Sequence, residues 1–506
     1  VSAMPADTLT DVARMPAHDW RDLARDLPGI SALAHGAVWS PFGPVLFRRG
    51  GSPATTSVKL EGLSLTDPFT GGAVFTLPLY AIESISQSED GGLVLAPRRP
   101  MRGGLSVSLG ASSENIVSAA TGPVRPGRER YDFLALAASE GRLGRLEWTA
   151  AGQARQLADR DPRFVASPWP RDLAGSFGGA GFDGGRQPGN GLEGASGWGH
   201  MSWRSPSDRW DASASFASSG DEWRVYRHAY LMDIAHTPRA AGQWGGGALS
   251  LRRNGGVRLG LNASHTNGSF RIGDGVAFDD VQALGDATRV PNPSFDPSAP
   301  FFYLPGHVDA NLERWHATRT EVESDATWSP HAKHELKLGA QYRRHTARHY
   351  AVAANNLIRD LQDRVVDASY DGYGYDFLGH ETSHDVRRPT TAALGLTEVF
   401  TVSSGLTLVS AIGVERIDER HLTVGPPLGP LQNPVVSVDA RSRSHLTWLA
   451  NVRLRPASGT TVQAGVRRRV SAPALALMAE VSDSRPERAI ETDFSADQAL
   501  GHGLRL

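Results

Sequence analysis

The sequence contains no cysteine among its 506 residues. This absence excludes a disulfide-stapled scaffold, a cysteine-ligated zinc site and a cysteine nucleophile. An excess of one charge is also missing, because 52 Lys and Arg face 54 Asp and Glu. Proteins that bind polyanions by bulk electrostatics carry a basic excess, so nucleic acid is not an expected partner.

Long hydrophobic runs are missing as well, since no stretch reaches the ~18 apolar residues of a transmembrane helix. The N-terminus also lacks the ordered basic, apolar and small-residue segments of a signal peptide. Hydropathy alone would favour a soluble protein. A membrane β-barrel, however, gives almost no hydropathy signal, because only alternate residues of its strands are apolar. The 55 Gly and the moderately polar composition fit such a barrel as well as a soluble sandwich.

Residues 1 to about 98 predict a small mixed α and β region. Trp20, Leu23, Ala24 and Leu27 have helical spacing within residues 18–27, and a Pro-Gly pair follows. After it come short extended segments bounded by turn residues. The expected strands are Val45–Phe47, Val58–Leu60, Leu63–Leu65, Ile82–Ile85 and Leu93–Leu95.

From about residue 103 onward, apolar and polar residues alternate, which predicts half-buried β-strands. In residues 257–266, Val257, Leu259 and Leu261 share one face, and polar residues occupy the other. The same period recurs in residues 334–345, 406–414 and 445–455. The expected strands are ~9–13 residues long, close to the length that crosses a bilayer at a tilt.

The connections between these segments alternate between short and long. Short turns are expected near residues 140–144, 205–208, 253–255, 329–332, 403–404, 457–458 and 501–503, with long connections between them. An up-and-down barrel of the outer membrane has short periplasmic turns and long extracellular loops, whereas a soluble sandwich has no reason to separate them. We count about fourteen strands, and the chain ends at Leu506 where another would begin. The sequence therefore predicts a barrel that is incomplete at the C-terminus, and the missing leader at Val1 favours a fragment too.

Motifs in the N-terminal region resemble the plug domain of TonB-dependent outer-membrane receptors. Leu27-Pro28-Gly29-Ile30 matches the family's "PGV", and Phe47-Arg48-Arg49-Gly50 matches "IRG". Residues 58–69 match "V.VDGVPL.DP.", with Glu61 at the usual Asp position. Residues 77–85 match "LP...IE.IEV", and residues 91–95 match the last plug strand, "GGVINI".

The barrel region carries two further motifs of this family. Residues 470–475 resemble "FRAPSL", and residues 485–491 resemble "L.PE....YE.G". Two departures stand out: residues 86–90 replace a longer "RGP.S..YG..A" stretch, and Asp7 to Val12 match a TonB box poorly.

The resemblance implies a mainly β fold: an antiparallel transmembrane up-and-down β-barrel with a small N-terminal α+β plug domain. About 14 of an expected 22 or so strands would be present. The implied domains are an N-terminal extension at 1–16, a plug at 17–98 and the incomplete barrel at 99–506. The implied location is the outer membrane of a Gram-negative-type bacterium.

The resemblance also implies the function and the partners. The chain would bind a scarce nutrient, a metal chelate such as a siderophore or a carbohydrate, and import it by energised plug movement. A TonB-type protein of the inner membrane, the small-molecule nutrient and outer-membrane lipid are the expected partners. The alternative is a non-transporting binding or signalling receptor of the same fold, which the poor TonB box and the short plug favour.

Two groups of residues are candidate sites. The family uses Arg–Glu contacts between plug and barrel, which implies a latch of Arg48 or Arg49 with Glu487 or Glu491. Aromatic side chains in the long connections are candidates for ligand binding, because they bind chelate rims and sugar faces at little rotamer cost. These aromatic residues are Tyr370, Tyr373, Tyr375, Phe377, Phe301, Phe302 and Tyr303. Packing between the loops is the competing explanation for them.

Catalytic and metal-binding motifs are not found. There is no nucleophile elbow, HExxH motif or dinucleotide fingerprint, so we expect neither an enzyme nor a cofactor. The pairs His345 and His349, His380 and His384, and His331 and His334 lack a third ligand. We therefore expect no resident metal. An outer-membrane enzyme such as a lipase-type barrel is the least favoured hypothesis, because no catalytic motif is found.

Overall fold

The computed structural model describes two parts of the chain, an N-terminal domain and a large sheet. In the N-terminal domain the described residues are 2–3, 20–24, 27, 30–33, 45–48, 57–87 and 92–100. In the large sheet and its connections they are 104–115, 131–157, 192–224, 239–273, 312–352, 374–375, 381–382, 389–424, 436–457, 460–471, 487–500 and 504–505.

The N-terminal domain contains one short helix, α1 (Trp20–Ala24), within the predicted range 18–27. Trp20 and Ala24 are fully buried, as their helical spacing predicts. The indole nitrogen of Trp20 donates a hydrogen bond to the carbonyl oxygen of Phe75 at 2.8 Å. This bond satisfies a polar atom that burial would otherwise leave unpaired.

Seven short strands accompany this helix. They are β1 (Ser2–Ala3), β2 (Ile30–Leu33), β3 (Val45–Arg48), β4 (Val58–Leu60), β5 (Leu63–Ser64), β6 (Ile82–Gln87) and β7 (Leu93–Pro97). All five predicted strands are found, within two residues of their expected ends. The sequence analysis does not predict β1, β2 or a 3-10 helix at Leu79–Ala81, because two to four residues show no usable period.

Five of these strands form one sheet in the order β1-β6-β7-β4-β5, and β2 pairs with β3. Strands β4 and β7 run parallel, and the other pairs are antiparallel. The turn between β4 and β5 consists of Glu61 and Gly62, which have φ angles of 47° and 80°. Two successive positive φ values match the right-handed twist of a tight hairpin, and Gly62 adopts this conformation without a side-chain clash.

The rest of the chain forms one antiparallel sheet in which neighbouring strands follow chain order. Its first strands are β8 (Gly104–Asn115), β9 (Tyr131–Leu143), β10 (Leu146–Leu157), β11 (Leu192–Arg204), β12 (Trp210–Arg224), β13 (Arg239–Arg253), β14 (Val257–Gly273), β15 (Leu312–His331) and β16 (His334–Val352). A separate pair, β17 (Gly374–Tyr375) and β18 (Glu381–Thr382), lies in the connection that follows. The sheet then continues with β19 (Thr390–Ser403), β20 (Leu406–Val424), β21 (Val436–Ala457), β22 (Thr460–Ser471), β23 (Glu487–Leu500) and β24 (Leu504–Arg505).

The sheet has 15 described strands, and the last of them, β24, has only two residues. The sequence-based count of about fourteen is thus confirmed for the long strands. Among the described residues, the edge strands β8 and β24 do not pair with each other. The long strands have 12 to 22 residues, so the predicted length of ~9–13 is too short. They extend into the expected long connections because backbone pairing continues where the apolar alternation has ended.

The predicted alternation of faces is confirmed. Leu259 and Leu261 of β14 are 40% and 49% exposed, and Leu338 of β16 and Ile412 of β20 are 49% and 55% exposed. The opposite face of the same strands turns toward the N-terminal domain. A continuous outer band of exposed apolar residues is typical of strands that contact lipid.

The alternation of connections is confirmed too. Strands β9 and β10 are joined by residues 144–145, β15 and β16 by 332–333, and β19 and β20 by 404–405. In contrast, residues 158–191 separate β10 from β11, and residues 274–311 separate β14 from β15. Short and long connections therefore lie at opposite ends of the sheet. Among the described residues, no helix is long and apolar enough to cross a membrane.

Candidate functional site

Three clusters of buried or half-buried polar side chains are prominent among the contacts between the N-terminal domain and the inner face of the large sheet. The first, the Thr76 cluster, consists of Arg21, Thr76, Arg155 and Asp221. Arg155 of β10 and Asp221 of β12 form an ion pair at 3.0 Å, and their side chains are only 3% and 1% exposed. The Thr76 hydroxyl donates to an Asp221 carboxylate oxygen at 2.9 Å.

The same hydroxyl accepts two hydrogen bonds. Arg155 donates to it at 2.9 Å, and Arg21 of α1 donates to it at 3.5 Å. Arg21 also donates to the carbonyl oxygen of Ala73 at 3.0 Å, which orients its guanidinium. One hydroxyl of the N-terminal domain thus connects two cations to a carboxylate of the sheet.

The second, the Lys59 cluster, lies on β4, β15 and β16. The ammonium group of Lys59 lies 3.3 Å from a Glu321 carboxylate oxygen and also contacts Glu323. Arg343 donates to Glu321 at 3.3 Å, and the Gln341 amide donates to both glutamates at 2.6 Å. Two carboxylates of the sheet are therefore balanced by one cation from each side of the interface.

The third, the Thr66 cluster, joins the segment after β5 to β15. Arg319 donates to the hydroxyl and to the carbonyl oxygen of Thr66, at 2.8 and 3.1 Å. Phe69 stacks on Trp315 of the same strand, with ring centroids 5.1 Å apart. Beside them, complete burial raises the pKa of Asp67 to about 6. Hydrogen bonds from the backbone of Phe69 and from Thr70 act in the opposite direction and favour the carboxylate.

Small residues of the sheet let the N-terminal domain approach closely. A Cβ atom at Gly246 would lie 3.1 Å from a Leu63 methyl carbon, and one at Gly268 would lie 3.0 Å from an Asp67 carboxylate oxygen. Both distances are shorter than ordinary contacts of such an atom. The same Cβ atoms would also lie 2.8 Å from the His265 carbonyl oxygen and 2.8 Å from a Trp244 ring carbon of the sheet. Glycine at these positions is therefore required both by the interface and by the neighbouring strand.

Two cavities lie along the wall, and one of them reaches Glu323 and Gln341 of the Lys59 cluster. One has a volume of 440 Å³ and is bounded by Ser57 and Gly92 of the N-terminal domain and by Glu415, Thr447 and Arg469 of the sheet. A second, of 400 Å³, shares Glu415 and Thr447 with it. Both are lined by a mixture of apolar, polar and charged groups.

The predicted aromatic site cannot be placed. Tyr370, Tyr373, Phe377, Phe301, Phe302 and Tyr303 lie outside the described residues. Only the backbone of Tyr375 is described, in β17, where it pairs with Glu381. The aromatic site stays a prediction.

The predicted latch is described only in part. Arg49 lies outside the described residues, and Arg48 and Glu487 are described by their backbones in β3 and β23. The Glu491 carboxylate accepts a hydrogen bond from Arg467 of β22 at 2.8 Å and lies 4.0 Å from Arg469. The Arg48 or Arg49 latch with Glu487 or Glu491 stays a prediction.

Sequence reasoning missed the three clusters that the structure shows. It placed Arg343 on the polar face of its strand but gave no site role to Arg343, Arg155, Asp221, Arg319 or Glu321. The sequence does contain a signal for such residues. They are charged and stand at the inward-pointing positions of strands whose outward-pointing residues are apolar. Period-2 alternation thus identifies the face of a strand, but it does not identify the partner across the interface.

The histidine pairs form no metal centre in the described part of the chain, where no group of three or more metal-ligating side chains is found. His331 and His334 lie edge to face, with ring centroids 6.3 Å apart, and His334 contacts Glu398 at 2.9 Å. His349 is described by its backbone only, and His380 and His384 lie outside the described residues.

The fold is similar to several solved structures. The FrpB iron transporter from Neisseria meningitidis covers 98% of this chain and is itself covered over 69%, with 13% identity and a TM-score of 0.63. The match to the copper transporter OprC covers 96% of this chain and 68% of OprC, with 13% identity and a TM-score of 0.57. The match to the siderophore receptor PirA from Acinetobacter baumannii covers 97% of this chain and 68% of PirA, with 12% identity and a TM-score of 0.61.

These solved structures are TonB-dependent outer-membrane receptors, and this chain has their fold. The resemblance inferred from the motifs is confirmed at the level of the fold: a plug packed against a wall of antiparallel barrel strands. No family model and no curated protein sequence matches the chain.

Proposed function

We propose that the chain is an outer-membrane transporter whose plug, residues 17–98, moves to admit a scarce nutrient. The observation that carries this proposal is the interface itself. Hydrogen bonds join the plug to the wall in the Thr76 and Thr66 clusters, and a half-buried ion pair of Lys59 with Glu321 joins them in the Lys59 cluster. The buried Arg155–Asp221 pair lies within the wall and presents its charges to Thr76. No step of covalent chemistry is part of the proposal.

Polar contacts of this kind suit a domain that must stay seated and yet be released. A buried ion pair contributes little net stability, because desolvation offsets most of the attraction, but separating its partners is costly. Wetting of the interface during plug movement lowers that cost, since each charge regains water. The plug is therefore held firmly when dry and released when water enters.

The N-terminal segment offers a route for the pulling force of a TonB-type partner. Ser2 and Ala3 of β1 pair with Ile85 and Ser84 of β6, at the edge of the plug sheet. Tension on the N-terminus would first separate this two-residue pair and then pass along the covalent chain to α1. Movement of α1 would in turn disturb the Thr76 cluster, because Arg21 of α1 donates to the Thr76 hydroxyl.

The nutrient that we propose is a metal ion or a metal chelate. Among the similar structures, FrpB is an iron transporter, OprC a copper transporter and PirA a siderophore receptor. We propose that the aromatic residues of the connections 274–311 and 353–389 contact it, in particular Phe301, Phe302, Tyr303, Tyr370, Tyr373, Tyr375 and Phe377. Carbohydrate is the competing substrate class, because aromatic faces also bind sugars.

Deletion of residues 1–16 tests energised transport. We expect the deletion to abolish uptake of a radiolabelled ferric siderophore by cells that express the protein in their outer membrane. Binding of the same chelate to those cells should be retained. A shortened variant that lacks only residues 4–6 is the matched control, since it keeps β1. Binding without uptake in the wild type itself would favour the non-transporting receptor, and uptake that survives the deletion would contradict energised transport through this segment. Failure to bind any of a panel of metal chelates would contradict the proposed substrate class.

The proposed latch has its own test. If Arg48 or Arg49 of the plug pairs with Glu487 or Glu491 of the barrel, then Glu487→Gln should loosen the plug, because it removes a charge from the pair. Plug retention and uptake would both be measured. Unchanged values for both would contradict the latch.

A further inference from the structure

A cavity of 440 Å³ lies between the plug and the wall at the end of the barrel that carries the short turns. The plug contributes Glu61 of the β4–β5 turn and residues 97–98 at the end of β7. Arg99 and Pro100 follow directly after the proposed boundary at residue 98 and are counted with the plug here. The wall contributes residues of β9 to β13 close to their short turns. None of the three clusters that hold the plug lies in this cavity, so the proposed transport mechanism does not account for it.

The lining is unusually rich in guanidinium groups. Six arginines line the cavity, Arg98, Arg99, Arg142, Arg145, Arg204 and Arg252. The same lining contains four carboxylates, Glu61, Glu147, Asp208 and Asp211. Six positive against four negative charges leave an excess of two positive charges in one concave space.

Most of the carboxylates are already engaged by arginines of the wall. Arg142 lies 3.4 Å from Glu147, Arg145 lies 3.2 Å from Asp208, and Arg204 lies 3.1 Å from Asp211. The pairs leave Glu61 as the remaining carboxylate of the lining. The excess charge therefore resides on the other three arginines.

Those three arginines differ in how they are held. The Arg98 guanidinium stacks on the Tyr80 ring at 4.4 Å from its centroid. Arg99 of the plug and Arg252 of the wall are exposed, and neither forms an ion pair among the described residues. Each offers a planar fork of N–H donors that matches the oxygens of a carboxylate or phosphate.

We propose that this cavity binds a small oxyanion, a phosphate or carboxylate group, between Arg99 of the plug and Arg252 of the wall. The volume is sufficient for a small polyanion, and the excess charge selects against cations. A bound oxyanion accepts hydrogen bonds from both sides of the interface. It therefore links the plug to the wall at the short-turn end and strengthens the seating of the plug.

Titration of the purified full chain in detergent tests this proposal. Inorganic phosphate and citrate are added separately at low ionic strength, and binding is followed by calorimetry. We expect saturable binding of at least one of them, weakened about tenfold or more in the double variant Arg99→Gln, Arg252→Gln, because two charge-assisted contacts are lost. Binding of phosphate alone identifies the group as phosphate, and binding of citrate alone identifies it as carboxylate. Binding of both shows that the cavity accepts either oxyanion.

Two further variants keep the result interpretable. Arg344→Gln removes an exposed arginine of β16 outside the cavity and should leave the affinity unchanged. Glu61→Gln removes the remaining carboxylate and should tighten binding. The circular dichroism of each variant is compared with that of the wild type, so that unfolding is recognised.

Absence of saturable binding in both arms would overturn the proposal. So would equal affinities of the wild type and a folded double variant. The titration uses no motor and no nutrient, so its outcome is independent of whether the chain transports.

Discussion

The replacement Asp221→Asn should unseat the plug more than any other single amide substitution in the Thr76 cluster. Asp221 is the only carboxylate among the four described members of this cluster, where it faces Arg155 and accepts a hydrogen bond from Thr76. An amide keeps the size of the side chain but removes the charge. Two guanidinium groups, those of Arg155 and Arg21, then converge on one hydroxyl without that counter-charge.

The expected cost follows from the burial of the pair. Because the two side chains are 3% and 1% exposed, water cannot replace the lost partner in the seated state. Leaving a buried charge without its partner costs about 3–5 kcal/mol. With a urea dependence of roughly 1–2 kcal/mol per molar, the midpoint of plug release should fall by at least about 1.5 M.

The absence of cysteine provides a clean assay. Ala81 is fully buried in the 3-10 helix that contacts β10, so Ala81→Cys introduces one thiol that reacts with a maleimide only when the plug leaves the wall. The rate of labelling is measured against urea concentration, with and without Asp221→Asn. The double variant Arg155→Gln, Asp221→Asn should release the plug less readily than Asp221→Asn alone, since one of the buried cations is removed.

The control is an ion pair away from the plug. Arg258 and Glu335 lie 2.7 Å apart with side chains 55% and 32% exposed, and exposed pairs contribute only about 0–1 kcal/mol. Glu335→Gln should therefore leave the labelling midpoint nearly unchanged. If Asp221→Asn shifts the midpoint no more than Glu335→Gln does, the Thr76 cluster does not hold the plug.

Two other predictions use the same thiol. Burial raises the pKa of Asp67 from 3.8 to about 6, so the seated plug binds a proton more tightly than the released plug does. The free energy of seating should therefore weaken by about 3 kcal/mol as the pH rises from about 4 to above 6. Asp67→Asn should abolish this pH dependence, and an unchanged pH dependence would refute the role of Asp67. Gly268→Ala should promote release by about 1–3 kcal/mol, because its Cβ would lie 3.0 Å from an Asp67 oxygen and 2.8 Å from a Trp244 ring carbon. Gly339→Ala, whose Cβ would have no neighbour within 4 Å, is the matched control, and equal effects of the two would contradict a steric role for Gly268.

Local patterns predict the barrel strands well. The alternation in residues 257–266 and 334–345 identified the strands β14 and β16 and the face that each turns outward. The pattern is reliable there because successive side chains of a strand point to opposite faces, and one face of these strands is apolar. The ends of the strands were less predictable, since backbone pairing does not require apolar residues and continues beyond the band.

The plug was predicted less completely. Strands β4 and β7 follow from short apolar segments, but their parallel pairing does not, because 32 residues of chain between Leu60 and Leu93 are compatible with many arrangements. Strand β1 has two residues and no pattern at all, and only its partner β6 makes it a strand. Such elements are consequences of packing rather than of propensity.

The sequence by itself determined the class of fold: alternating strands and alternating connection lengths predict an up-and-down barrel, and the motifs of the N-terminal region resemble a plug. The tertiary structure alone decided which charges hold the plug. Thr76 and Asp221 are 145 residues apart, and Lys59 and Glu323 are 264 apart. Contacts across such separations depend on the register of every strand between them and on where the plug sits against the wall. A periodic pattern specifies the face on which a side chain lies, whereas its partner is set by the three-dimensional position of the whole sheet.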